Sequence, residues 1–314
     1  MELLIFQKEK FDELYNCTYE IESVPIEKRR HVLLAYLPCL FALRDQWARS
    51  SCYKIMFYVA ILDVIVLWIT GFATGVFVVM GTVYCSMPTL MYVLGTIASA
   101  IWYAETFAAV LLAVNRCVEM AHLGLMEHLF GGNRAGIWLA VPSIYALVMI
   151  TFTKPVMFTG IYCSWFFNPH IGYIEDVKGN FETLAHPVHN SLLLLSIITL
   201  YVIFVVLLIS RRRVENQSKS QRMLFLQVFI ISAVNASTAA LYAYMQFVHS
   251  NETLMVIAQI GWLSCHGVPG LTYLTMNKTI RHESLRKLGF KFGHKIYSLG
   301  THSRGGISAP HDVL

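Results

Sequence analysis

"IMFYVAILDVIVLWITGFATGVFVVM" occupies residues 55–80, and Asp63 is the one Asp, Glu, Lys or Arg in it. A helix of that length reaches about 39 Å, more than a hydrocarbon core of about 30 Å. Its apolar residues do not alternate with polar ones, as barrel strands would require. Inside lipid such a run must satisfy its own backbone hydrogen bonds, so it is predicted to be a membrane-spanning helix.

Five further runs read the same way: Leu90–Val114, Ala135–Thr153, Ser191–Ser210, Met223–Val248 and Leu254–Met276. The 314 residues are 56% hydrophobic and only 14% charged, with mean hydropathy +0.55. Soluble domains carry about 25% charged residues, so a soluble fold is excluded. Pro142 and Pro269 fall within runs and are expected as kinks. "LLIF" (3–6) is too short for a secretory signal. The prediction is an all-α integral membrane bundle over residues 31–276. An N-terminal segment (1–30) precedes it and a basic tail (277–314) follows.

A seventh segment is short. Val32–Leu43 has 12 apolar-rich residues including Pro38, about 18 Å as a helix. Lys28, Arg29 and Arg30 block its extension. If it crosses with the N-terminus outside, 17 of the 24 Lys and Arg residues lie in the cytoplasm, and five of the other seven precede the stub. If it does not cross, 22 lie inside, which fits the positive-inside bias better. A shortened first helix is expected in a structure, with the non-crossing form slightly favoured in cells and poor trafficking expected of the chain.

Local sequences add a resemblance. "YNCT" (15–18), "YLPCL" (36–40), "SCYKIMFY" (51–58), "ILD" (61–63), "VYCSMPTLMY" (83–92), "NR" (115–116), "LFGGNR" (129–134), "WFFNP" (165–169) and "HGVPGLTYLTMNKTIR" (266–281) occur in order. Together they resemble the nematode class T serpentine chemoreceptors, the Srt family, from Tyr15 to Arg281. The resemblance implies a seven-helix G-protein-coupled receptor in the plasma membrane, sensory cilia included. Its implied partners are an unknown external small molecule, a heterotrimeric G protein and membrane lipid, with no nucleic acid and no cofactor. The chain departs from the family where roughly the outer half of helix one is missing; a lost coding segment and a degraded helix would each produce this.

Candidate residues follow from position. Arg116 closes the third long run after Asn115, where rhodopsin-like receptors carry an acid before a switch Arg. Pro269 and Tyr273 stand where those receptors carry Asn-Pro-x-x-Tyr, at altered spacing, and form a candidate hinge. Asp63, Glu105 and His266 each lie 10 or 11 residues from a cytoplasmic helix end, about 15–16 Å deep, and so fall on one level. Buried charges in lipid face inward and pair. Asp63 also resembles the sodium-binding Asp of rhodopsin-like receptors; neutral acids bonded to Ser, Thr or Asn are the bland alternative. Tyr92, Trp102, Tyr242, Gln246, Gln259 and Trp262 are candidate ligand contacts, although aromatics at helical spacing are more often packing.

Serpentine receptors commonly bridge helix three to the second outer loop, which implies Cys85–Cys163, with Cys17 a rival partner. Asn16 and Asn251 are outer glycosylation sequons. Glu182, His186 and His189 cluster in the long outer loop, but solvated histidines are the better reading than a metal site. Beyond Asn277, Ile280, Leu285, Leu288, Phe292 and Ile296 recur at helical spacing among basic residues, as in an interfacial helix; Gly289 and Gly293 weaken it, and a disordered basic tail is the equal alternative. A transporter or channel would need inverted repeats or rings of acids, and an enzyme would need a nucleophile–base or metal motif. Neither pattern is visible.

Overall fold

The computed structural model describes residues 7–15, 17, 36–46, 50–121, 123–174, 176, 178–181, 183–212, 219–247 and 251–288. Among them, six helices are long and apolar enough to span a membrane. The first comprises α3 (Ser51–Leu67), a π-helical segment (Trp68–Ala73) and α4 (Thr74–Met80). The others are α5 (Pro88–Ala121), α7 (Arg134–Phe152), α8 (Ala185–Arg212), α9 (Lys219–Phe247) and α10 (Glu252–Met276). Short helices are α1 (Lys8–Leu14), α2 (Tyr36–Gln46), α6 (Leu123–Phe130) and α11 (Lys278–Lys287). All six predicted long spans are present. Successive spans run in opposite directions, so the bundle has two ends.

Helix α5 is the central member, packed against α3, α7, α8 and α9. Its sequence explains this: Gly95, Ala98, Ala104, Ala108 and Ala109 are small, and they let neighbours approach. The outer faces of α7 and α8 keep Ile137, Ile144, Leu147, Leu195, Val202 and Val206 exposed, as lipid-facing surfaces do.

One end is closed by an antiparallel hairpin, β1 (Met157–Thr159) and β2 (Ser164–Phe166), with Phe158 opposite Trp165. Phe158, Trp165 and Met157 are buried. Trp165 Nε1 donates to Thr74 Oγ1 at 2.9 Å, and Gly160 N donates to Thr82 O at 2.8 Å. At Gly95 an added Cβ would lie 1.7 Å from Val156 O, so only glycine admits the chain leading into the hairpin. Helix α1 lies at this same end. Phe11 and Tyr15 pack on Tyr92, and the Leu14 carbonyl accepts from His170 Nε2 at 3.3 Å.

The opposite end holds α2, α6 and α11. Pro38 sits in the first turn of α2, where its missing N–H costs nothing. Ala42 and Leu43 of α2 pack in a core cluster with Cys52, Tyr273 and Ile280. Lys287 Nζ reaches Asp45 Oδ2 at 2.9 Å. The short segment therefore docks between α3, α10 and α11, toward the end away from α1. Helix α2 is the shortened first helix that the sequence predicts, and residues 18–35 lie outside the described residues. Lys28, Arg29 and Arg30 lie outside the described residues.

Three boundaries differ from expectation. Helix α5 continues to Ala121, so Arg116 lies within it and does not end it. Helix α8 begins at Ala185, which carries His186 and His189 into its first turns. Helix α11 forms, capped by Asn277 Oδ1 accepting from Ile280 N at 3.1 Å, but Ile280 is fully buried in protein. Phe292 and Ile296 lie outside the described residues.

Candidate functional site

Asp63 of α3, Glu105 of α5 and His266 of α10 meet inside the bundle, all three fully buried. Each offers a nitrogen or oxygen within 4.8 Å of the other two. His266 Nδ1 is 2.9 Å from Asp63 Oδ1. Asn235 of α9 donates through Nδ2 to Glu105 Oε1 at 2.9 Å. Three buried atoms of this group, Glu105 Oε2, His266 Nε2 and Asn235 Oδ1, have no hydrogen-bond partner among the described residues. Four helices are thus tied at one level.

Arg116 is 6% exposed, although guanidinium groups at helix ends usually reach water. Its Nη1 pairs with Glu119 Oε2 at 2.5 Å, and its Nη2 donates to Asn115 Oδ1 at 2.6 Å. Asn115 in turn donates to Ser51 Oγ at 3.0 Å, linking α5 to α3. Arg116 Nε is buried and has no partner among the described residues. Pro269 stays within a continuous α10, with Thr272 Oγ1 donating to its carbonyl at 2.8 Å. Tyr273 is fully buried near α2 and α11.

At the hairpin end Tyr92 borders a cavity of about 450 Å³, which Lys10, Tyr15, Lys154 and Asn180 also line. Burial lowers the Lys154 pKa, and Lys10 adds to the effect while Asp176 opposes it. Deeper, Trp102 Nε1 donates to Asn190 Oδ1 at 3.1 Å. Tyr242 and Trp262 meet edge to face at 6.5 Å, and both the Tyr242 hydroxyl and Trp262 Nε1 are buried without partners among the described residues. Gln259 Oε1 accepts from Ser164 Oγ at 3.2 Å, so that residue holds the hairpin. Gln246 lies within α9; its side chain lies outside what is described.

The family model for the serpentine type 7TM GPCR chemoreceptor Srt matches residues 5–295. The chain belongs to the Srt family. Serpentine receptor class T-55 of Caenorhabditis elegans is similar to it, 27% identical over 240 residues. That match takes in 75% of this chain, and the chain covers 65% of the length of that receptor. The Srt chain is therefore a multi-pass membrane protein of a receptor family, not of an enzyme family.

Several positions in this Srt chain depart from the sequence reading. Cys85 is bonded to Cys17, and Cys163 is a free, exposed thiol in the hairpin turn. The Cys85–Cys163 pairing is thereby corrected: Cys163 sits in the turn that begins at Gly160, while α1 brings Cys17 directly to the turn holding Cys85. His186 and His189 are also not loop histidines. His189 is 7% exposed, with Nδ1 2.8 Å from the Tyr145 hydroxyl and Nε2 2.9 Å from Thr106 Oγ1. Both ring nitrogens are engaged, which leaves none for a metal. Glu182 and Asn16 lie outside the described residues; Asn251 is exposed and caps α10.

Sequence reasoning missed Glu119, the i+3 acid whose pairing with Arg116 follows from the longer helix. It also missed Asn235, which resembles any polar residue in a span until four helices converge on it. The π segment just past Asp63 had no separate signal. Its wider turn belongs to the stretch that presents Thr74 to Trp165.

Proposed function

We propose that this Srt chain is a chemosensory receptor of the plasma membrane, sensory cilia included. It detects an external small molecule at the hairpin end and activates a heterotrimeric G protein at the end bearing Arg116. The observation that carries this reading is Arg116 itself: a buried cation held, among the described residues, only by neighbours on its own helix, Asn115 and Glu119, at the end rich in Lys and Arg. Such a group has two arrangements available, paired inward or released to a partner. The Tyr242 hydroxyl and Trp262 Nε1, without partners among the described residues, are donors that a ligand acceptor would satisfy, which supports a ligand bound on the hairpin side of the Asp63–Glu105–His266 level.

Basal GTPγS exchange on a co-expressed G-protein heterotrimer tests the switch without a known agonist. Glu119→Gln should raise basal exchange several-fold, and Arg116→Ala should abolish it, with cell-surface amounts near wild type. Unchanged exchange in both variants at normal surface amounts would remove Arg116 from signalling.

A further inference from the structure

The three partnerless atoms of the Asp63–Glu105–His266–Asn235 group are chemically alike. If the Asp63 carboxylate accepts from His266 Nδ1–H, then His266 Nε2 carries a lone pair. Asn235 uses its amide N–H on Glu105 Oε1, so its free atom is the carbonyl Oδ1. With its carboxyl ionised, Glu105 Oε2 is likewise an acceptor. All three are electron-pair donors, fully buried on three helices. One water has two hydrogens and cannot satisfy three acceptors. Two carboxylates at this depth are also costly without a compensating cation.

A divalent cation meets both demands. An imidazole nitrogen with carboxylate and amide oxygens suits a borderline transition metal; hard calcium and magnesium ions take oxygen ligands almost alone. The imidazole likewise sets this group apart from the sodium analogy drawn for Asp63. The Asp63 bond to His266 Nδ1 has the form of the carboxylate–histidine contact that orients a metal-binding imidazole. Asp63, Glu105 and His266 each offer an atom within 4.8 Å of the others, and Asn235 Nδ2 is 2.9 Å from Glu105 Oε1. Tetrahedral zinc ligands at about 2.1 Å lie about 3.4 Å apart, so a modest contraction of the group closes on an ion.

We propose that this chain binds one zinc-class divalent ion inside the bundle, through His266 and Glu105 with Asn235 as a neutral ligand and Asp63 orienting the imidazole. The ion would pin α5, α9 and α10 at one level. No step depends on G-protein coupling, and the readout is metal content.

The test uses the full chain purified into lipid nanodiscs in sodium buffer, so alkali ions are present throughout. After incubation with zinc and dialysis, elemental analysis should find one zinc per wild-type chain. Glu105→Gln and His266→Gln should each lower zinc affinity at least about tenfold while far-ultraviolet circular dichroism stays helical. His170→Gln, away from the group, should keep the zinc. No zinc on folded wild-type chain, or undiminished zinc on folded Glu105→Gln and His266→Gln, overturns the proposal. Should both variants fail to fold, cobalt on the wild-type chain decides. Intense visible bands of a low-coordinate site support the assignment, and the pale spectrum of hydrated cobalt overturns it.

Discussion

His170 shows how one side chain joins two parts of the chain. It is 7% exposed, its Nε2 donates to the Leu14 carbonyl, and its Nδ1 lies 3.1 Å from the Tyr173 hydroxyl. Burial holds its pKa below the ordinary imidazole value of 6.5, partly offset by the Leu14 bond. The unfolded chain therefore takes up the proton first. The stability His170 supplies is present above that ordinary value and is lost as pH falls through it. Wild-type chain should melt a few degrees lower at pH 5.5 than at pH 7.5, and His170→Gln should show a smaller pH difference. Equal pH differences in the two would assign the effect to other groups. Cys17 belongs to the same contact. Non-reducing peptide mapping should link Cys17 to Cys85 in wild type and in Cys163→Ser. The bond spans 68 residues, and in the chain-entropy model its loss in Cys17→Ser costs up to about 4 kcal/mol. A Cys85–Cys163 peptide would refute the assignment.

Among the elements, the hairpin and α5 depend on one glycine. An alanine at Gly95 would drive its Cβ into the Val156 carbonyl, so the strand entering the hairpin must shift. Gly95→Ala should cost roughly 2–3 kcal/mol, in the range for overpacked cores, and lower the surface amount of the chain. Gly136 in α7 has nothing within 4 Å of an added Cβ. Gly136→Ala should be neutral or stabilising by up to about 1 kcal/mol, because alanine is the better helix former. Thermal melts of the two variants in the same detergent check the pair; equal melting temperatures would contradict the close approach. The helices themselves were legible from apolar length, because lipid leaves the backbone no other arrangement. The hairpin was not legible: Met157–Thr159 and Ser164–Phe166 are three residues each, too short for a periodic signal, and their order comes from Thr74, Thr82 and Gln259 on other elements.

For the whole molecule the question is how many times the chain crosses. Helix α1 and the Cys17–Cys85 bond stand at the hairpin end, with the α10 cap Asn251. Helix α2 stands with α11 toward the other. Expressed in secretory cells, the chain should therefore carry glycans on both Asn16 and Asn251, removable by a glycosidase in two steps. Modification of Asn251 alone would mean that the short segment stays on the cytoplasmic face. In the crossing form Lys28, Arg29 and Arg30 stand on the outer side against the usual bias, and replacing all three with Gln should raise the crossing fraction and the surface amount.

The amino-acid sequence determined the class, the six long spans and the common level of Asp63, Glu105 and His266. Run length and depth along a helix are one-dimensional quantities, and a rise of about 1.5 Å per residue converts them directly into position. Rotation about each helix axis is different. Whether Asn235 faces Glu105, whether His189 faces Tyr145, and whether Ile280 meets lipid or Leu43 depend on how neighbouring helices pack. A membrane helix that is apolar all round carries little sequence signal for its facing side. The choice of Cys17 over Cys163 for Cys85 is a matter of distance across the fold, which spacing along the chain cannot supply. Tertiary packing decided these points, because they depend on contacts between segments far apart in the chain.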